Sequence, residues 1–439
     1  MSKGLESEQD TVQQQPIKAK KTSVQEQILE PTFPHKSWNK KHTLGFITGS
    51  LLLLVLSLVT FSQASSTQNN QAVKINHNIN KKTNPELNKT FYPDHQVETL
   101  KPTDESLNSK LKLQKRIKGD LTPKSVVYSG NGLFFVQNMM YEHTINVYDR
   151  QFNLIKKIQD KVKLKDYGYP QFKDPQYQGS PVEVAFSADG NTAYVSNYQM
   201  FGSEFTNPGY DTCEPSDQFD SSFIYKINTQ TLDITNVIKV GSVPKFVAVS
   251  PNNRWVLVSN WCSGDLSIID SQSNREIKRI PLGQFPRGIA IDPHSKIAYV
   301  AVMGTSNIAV VNLEDYTVNW MDNVGLYPRH LVLDTVGKYL YVTLNGDDHV
   351  AKIDPKTGEI ITKIFTGSAP RSMVLSGDNQ YLYIVNYYSH TVSKVRTETM
   401  EIIENITVDL NPIGITFDPE TNQVWVACYT GSLMVLQDE

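Results

Sequence analysis

Four basic residues, Lys245, Arg287, Arg329 and Arg371, each follow a proline, and those prolines stand 42 residues apart. A fifth, Lys124, follows Pro123, and His330 directly follows Arg329. Guanidinium forks pair with carboxylate or phosphate, and ammonium groups act on the same anions as point charges. His330 beside arginines could serve as a general base. At a second recurring position stand Asn197, Asn260 and Asn386, followed by Tyr198, Trp261 and Tyr387. Amides there can hydrogen-bond a ligand, and aromatic faces can stack on its rings. The blander account is structural: a basic residue after a loop proline can set the spacing of neighbouring units, and asparagines commonly form turns.

The elements that position these residues follow from the period. Pro244, Pro286, Pro328, Pro370 and Pro412 share the phrase Gly-x-x-Pro or the variant Asp409-Leu-Asn-Pro. Pro123 and Pro181 extend the series backwards, with intervals longer than one unit by roughly 16–21 residues when a unit is about 42. After each proline comes an apolar run, then a turn such as Ser250-Pro-Asn-Asn or Asp292-Pro-His-Ser. A β-branched and aromatic strand follows (Leu257-Val-Ser-Asn, Tyr383-Ile-Val-Asn), then two more alternating strands. Units of 40–45 residues, each reading as four short strands, predict an all-β, seven-bladed β-propeller over 111–439. The last unit ends after its third strand, at Ser432 to Leu436, while residues 112–123 resemble 401–412. An N-terminal strand is therefore expected to complete blade seven, pairing two otherwise open edges.

On the strands that read Tyr194-Val-Ser-Asn and Tyr341-Val-Thr-Leu-Asn, the chain resembles the YVTN-repeat family of β-propellers over all seven units. The resemblance implies the fold. Relatives include extracytoplasmic proteins, surface-layer proteins and ligand-binding propellers, so it does not imply one activity.

In a propeller the loops from fourth to first strands and from second to third strands open on one face. That places Lys124, Lys245, Arg287, Arg329, His330 and Arg371 at the channel mouth, with Asn197, Asn260, Asn386, Trp261 and Tyr387. Such a mouth suits an anionic or glycan-like ligand, or a loop of a partner protein. The tyrosines Tyr194, Tyr299, Tyr341 and Tyr383 are expected in the core between blades. Cys213, in the blade-two insertion, and Cys262, after the second strand of blade three, emerge on the same face of adjacent blades and are expected to form a disulfide. Cys428 is left over.

Residues 1–43 are polar and are expected to form a disordered cytoplasmic tail. Leu44 to Phe61 is an uncharged apolar run preceded by lysines, so 44–63 is expected to be a transmembrane signal anchor. A cleaved signal peptide ending at Ala64 is the competing reading. Residues 64–110 read as a flexible linker, leaving the propeller periplasmic or extracellular on a single-pass membrane protein.

The formal charge of −3 gives no reason to expect a nucleic-acid partner. No glycine-rich phosphate loop follows a strand, no Ser-His-Asp order can be assigned, and no CxxC or His-rich spacing calls for a metal or cofactor. Gly346-Asp-Asp-His349 is a weak cation candidate. Three functions stay open at this point: an anchored binding propeller, a propeller lactonase or lyase using His330, and a structural surface module.

Overall fold

The computed structural model describes residues 110–439 apart from Pro215. The expected tail, apolar anchor and linker (except Lys110) lie outside the described residues. Among the described residues no helix is long and apolar enough to cross a membrane.

The proline period produces seven sheets. Blade one runs Pro123–Tyr128, Leu133–Asn138, Thr144–Asp149 and Leu154–Gln159, each strand pairing antiparallel with the next. Blades three to six repeat this order from Pro244, Pro286, Pro328 and Pro370. Blade two (Tyr177–Phe186, Thr192–Phe201, Phe223–Asn228 and Asp233–Lys239) departs from a four-stranded unit. The short strand Lys161–Val162 adds to its inner edge, making five strands. A two-residue strand inside an insertion leaves no alternating pattern to read.

Blade seven contains Pro412–Asp418, Gln423–Cys428 and Ser432–Asp438, and its fourth strand is the N-terminal Leu111–Lys118. Leu111 pairs with Asp438 and Lys118 with Ser432, so both ends of the propeller chain are tied into one sheet. Asp438 also accepts hydrogen bonds from Lys394 Nζ (2.6 Å) and from the Tyr383 hydroxyl, fixing this closure to blade six.

The core is divided into layers between neighbouring blades, because each strand alternates its buried side chains between two adjacent sheets. Phe134 of blade one stacks on Trp425 of blade seven with ring centroids 4.0 Å apart. Tyr383 of blade six stacks on Phe417 of blade seven. Tyr194, Tyr299, Tyr341 and Tyr383 are all buried in such layers, as their strand positions predict. A separate cluster under one face joins Cys213, Val243, Trp261, Cys262, Phe285 and Met303.

Candidate functional site: a cationic throat in the central channel

The innermost strand of every blade begins at its proline or, in blade two, passes through it, and just beyond it the ladder slips. Pro244 pairs with Asn260 but Phe246 with Ser259, leaving Lys245 unpaired in a bulge. Pro123 and Ser125 skip Lys124, and Pro370 and Ser372 skip Arg371. Pro286 to Ile289 and Pro328 to Leu331 skip Arg287 and Arg329 in the same way. A bulge re-aims the extra side chain, which is how a strand residue comes to point along the channel mouth.

The backbone before the proline is also special. Val243, Phe285, Tyr327, Ala369 and Asn411 have φ between 52° and 63°, a left-handed conformation that costs a bulky residue free energy. It turns their carbonyls toward the amides of Trp261, Met303, Asn345, Tyr387 and Tyr429. The fourth-to-first and second-to-third loops are therefore laced together on one face.

Each cation then packs on a residue just past the end of a second strand or, for Lys245, on Tyr198 within the longer second strand of blade two. Lys124 Nζ lies 5.1 Å from the centroid of the Tyr429 ring, and the Arg287 guanidinium 5.8 Å from that of Trp261. Lys245 lies over Tyr198 at 4.4 Å, and Arg329 Nη1 approaches Met303 Sδ at 3.9 Å. All four contacts cross a blade boundary. Arg371 instead stacks on Tyr387 of its own blade, 3.5 Å from the ring centroid. Part of the work of these cations is thus to hold blades together through cation–π contact.

On their other side, Lys124, Arg287, Arg329 and Arg371 line one narrow void together with Glu183 and His330. Lys245 does not: its Nζ donates to Asp211 Oδ1 at 2.5 Å. Below the throat the channel widens to about 470 Å³, walled by the first strands of all seven blades.

Glu183 escaped the sequence reading. It stands two residues after Pro181, at the repeat position that His330 holds after Pro328; the other blades have Ser125, Phe246, Gly288, Ser372 and Gly414 there. Aligning that position across the prolines would have exposed it. Blade two has Val182 where five other blades carry a cation, so the search for basic residues passed over it. Burial pushes the Glu183 carboxyl up to about 7, against opposing hydrogen bonds from Ser125 and the Val184 amide and against the Arg287 and Lys124 charges. Burial, with Arg287 and Arg329, pushes His330 down to about 3. Its Nδ1 is buried without a hydrogen-bond partner.

The amides lie elsewhere. Asn197, Asn260 and Asn386 are fully buried inside their blades and do not line the throat. Asn260 Nδ2 donates to Asp265 Oδ1 (2.6 Å) and Ser267 Oγ (2.8 Å), and Asn386 Nδ2 to Ser393 Oγ (2.8 Å). Asn197 Nδ2 donates to the Phe223 carbonyl at 3.3 Å. They tie second strands to third strands. Trp261 and Tyr387 are buried beneath the cations and do not stand open as stacking platforms. Asp347 and Asp348 accept backbone amides of Leu326 and Ala369 (both 2.8 Å), so this turn laces loops. Among the described residues no group of three or more His, Cys, Asp or Glu gathers to hold a metal.

Cys213 and Cys262 form a disulfide with Cα atoms 5.4 Å apart, and Cys428 is a buried free thiol. The bond fastens the blade-two insertion to blade three, where Trp261 Nε1 donates to the Asp211 carbonyl (3.0 Å) and Ser242 Oγ to that of Phe219 (3.0 Å). Gln284 Nε2 reaches Glu214 from blade four's loop.

Sheet topology and channel together define a seven-bladed β-propeller with a basic throat. A family model described as a YNCE-like beta-propeller matches residues 277–437. Among solved structures, the chain is similar to one titled "Kuenenia stuttgartiensis Hydrazine Synthase", with a TM-score of 0.55 and 17% identity over 73% of this chain and 97% of that one. At that identity the likeness is one of fold. Comparison with curated proteins finds no match.

Proposed function

We propose that this protein is an anchored extracytoplasmic binding propeller of the YVTN-repeat kind, whose channel throat takes the anionic group of a ligand. The observation that carries this reading is the convergence of Lys124, Arg287, Arg329 and Arg371, from four blades, on one void. Structural cations alone need only face the neighbouring blade; these four also face a common space, where their fields add. The narrowness of that space favours a single oxyanion or the anionic tip of a longer ligand over a sugar ring. Anchoring through Leu44 to Phe61 and an oxidising compartment are parts of the same proposal, supported by the apolar run and by the Cys213–Cys262 bond.

A thermal-shift screen of the chain against carboxylates, phosphates and sulfates tests it. A ligand at 100 times its dissociation constant stabilises by about 2.7 kcal/mol. The stabilisation is expected in wild type and absent in Arg329→Ala/Arg371→Ala. A shift that survives in that double variant places the anion elsewhere and contradicts the reading.

A partner protein presenting the anion is a second reading, favoured by one observation. Tyr141, Tyr210, Leu326, Tyr388 and Leu410 are large apolar residues standing exposed on the loops around the mouth. The lyase or lactonase alternative asks His330 to be a base, and an imidazole held near 3 is a weak one.

A further inference from the structure

The throat carries acceptors as well as donors, and that combination selects among anions. Lysine and arginine only donate hydrogen bonds. A throat lined by Lys124, Arg287, Arg329 and Arg371 alone would take sulfate and phosphate alike, since the two are the same size and shape. Glu183 and His330 line the same void. The Glu183 carboxylate accepts only, and the unpartnered His330 Nδ1 belongs to a neutral ring that accepts or donates according to its tautomer.

We propose that the throat takes a tetrahedral oxyanion that still carries a proton, hydrogen phosphate being the simplest, and that Glu183 is the residue that reads that proton. This rests on the throat reading above. A carboxylate facing hydrogen phosphate gains a short, charge-assisted O–H···O⁻ bond. Facing sulfate, which is fully ionised, the same carboxylate meets only lone pairs and gains no bond from the ligand. A site built to accept a hydroxyl rejects the analogue lacking it.

Every element around Glu183 bears on its charge. Blade one supplies Lys124 and Ser125, whose hydroxyl approaches the carboxyl. Blade three supplies the apolar Phe246, with Lys245 drawn off to Asp211. Blades four to six supply Arg287, Arg329, His330 and Arg371. On its own strand, four residues away, the Gly179 amide donates to Asp160 Oδ1. The balance leaves the Glu183 carboxyl titrating at about 7. Above that pH it is an acceptor and selects hydrogen phosphate; below, it carries its own proton, can donate to sulfate, and the selection fades.

Calorimetric titration of the full chain with inorganic phosphate and with sulfate, at constant ionic strength, decides the matter. At pH 8 wild type is expected to prefer phosphate by about tenfold or more, the worth of one hydrogen bond to a charged group. At pH 5.5 that preference should vanish or invert. Glu183→Gln, whose amide can donate, should bind both anions equally at pH 8. Equal binding by wild type at pH 8, or selectivity retained in Glu183→Gln, overturns the proposal. If Glu183→Gln does not fold, the wild-type pH series alone gives the answer. Failure of wild type to bind either anion overturns the throat reading itself and is distinct from binding without selection.

Discussion

Glu183 and His330 occupy the same repeat position, two residues past the blade proline, and both line the throat of the channel. Burial drives them in opposite senses on the pH scale but toward the same state: each is pushed toward its neutral form. Four basic side chains surround them. The throat is therefore basic mainly through its lysine and arginines, and the Glu183 carboxyl among them changes charge near neutral pH.

Glu183 should make stability depend on pH. Its carboxyl titrates at about 7 in the folded chain against about 4.3 unfolded. The stabilising contribution is fully present below the unfolded value and is lost as pH rises through 7. Buried Asp160, also near 7 through burial, acts in the same sense. Stability is expected to fall between pH 5 and 8, by at most about 3 kcal/mol for Glu183, and the melting temperature with it. Glu183→Gln should make the fall between about pH 5 and 7 shallower; an unchanged profile would mean that the carboxyl is not buried as described.

The disulfide should stabilise the propeller, not merely decorate it. Cys213 and Cys262 are separated by 49 residues, and closing such a loop is worth about 4 kcal/mol in the chain-entropy account. Cys213→Ser/Cys262→Ser should melt well below wild type, and reductant should lower only the wild-type curve. Equal melting with and without reductant would show that the bond does not form.

Cys428 should be chemically silent. Burial pushes its thiol up to about 12, so almost none of it is the reactive thiolate at neutral pH. A thiol-specific chromogenic reagent should report no reactive cysteine in the native oxidised chain and one after denaturation.

Ring closure should depend on the first described strand. Removing Leu111–Lys118 exposes the edge Ser432–Asp438, which Leu111–Lys118 pairs along its whole length. Such a chain is expected to lose its cooperative melt or to associate through the open edge, as gel filtration would reveal. A monomer with unchanged melting would mean that closure is dispensable.

Arg371 allows the two jobs of the cations to be separated. Arg371→Lys keeps a charge but loses the flat contact with Tyr387. It should cost about 1 kcal/mol of stability while retaining weakened anion binding. Arg371→Ala should lose both. Identical binding by the two variants would assign Arg371 to blade packing alone.

The proline period was enough to read seven blades, the strand order within them and the N-terminal closing strand, because every unit repeats the same turn chemistry. It also located the cations, whose bulges recur with the proline. It misplaced the asparagines: Asn260 ends a second strand opposite Pro244, and its side chain turns into the blade toward Asp265 and Ser267. Loop position alone does not reveal which way the last strand residue faces. Glu183 was missed for a related reason. Its position varies from glycine to phenylalanine between blades, and only the assembled ring shows that these residues meet at one throat.

The most direct test of the throat is the dissociation constant for inorganic phosphate measured by calorimetry on wild type and on Arg329→Ala/Arg371→Ala at pH 8. We expect saturable binding by wild type and a loss of a hundredfold or more in the double variant, about 2.7 kcal/mol or more. No saturable heat with wild type, or the same affinity in both proteins, would contradict a cationic throat that binds anions.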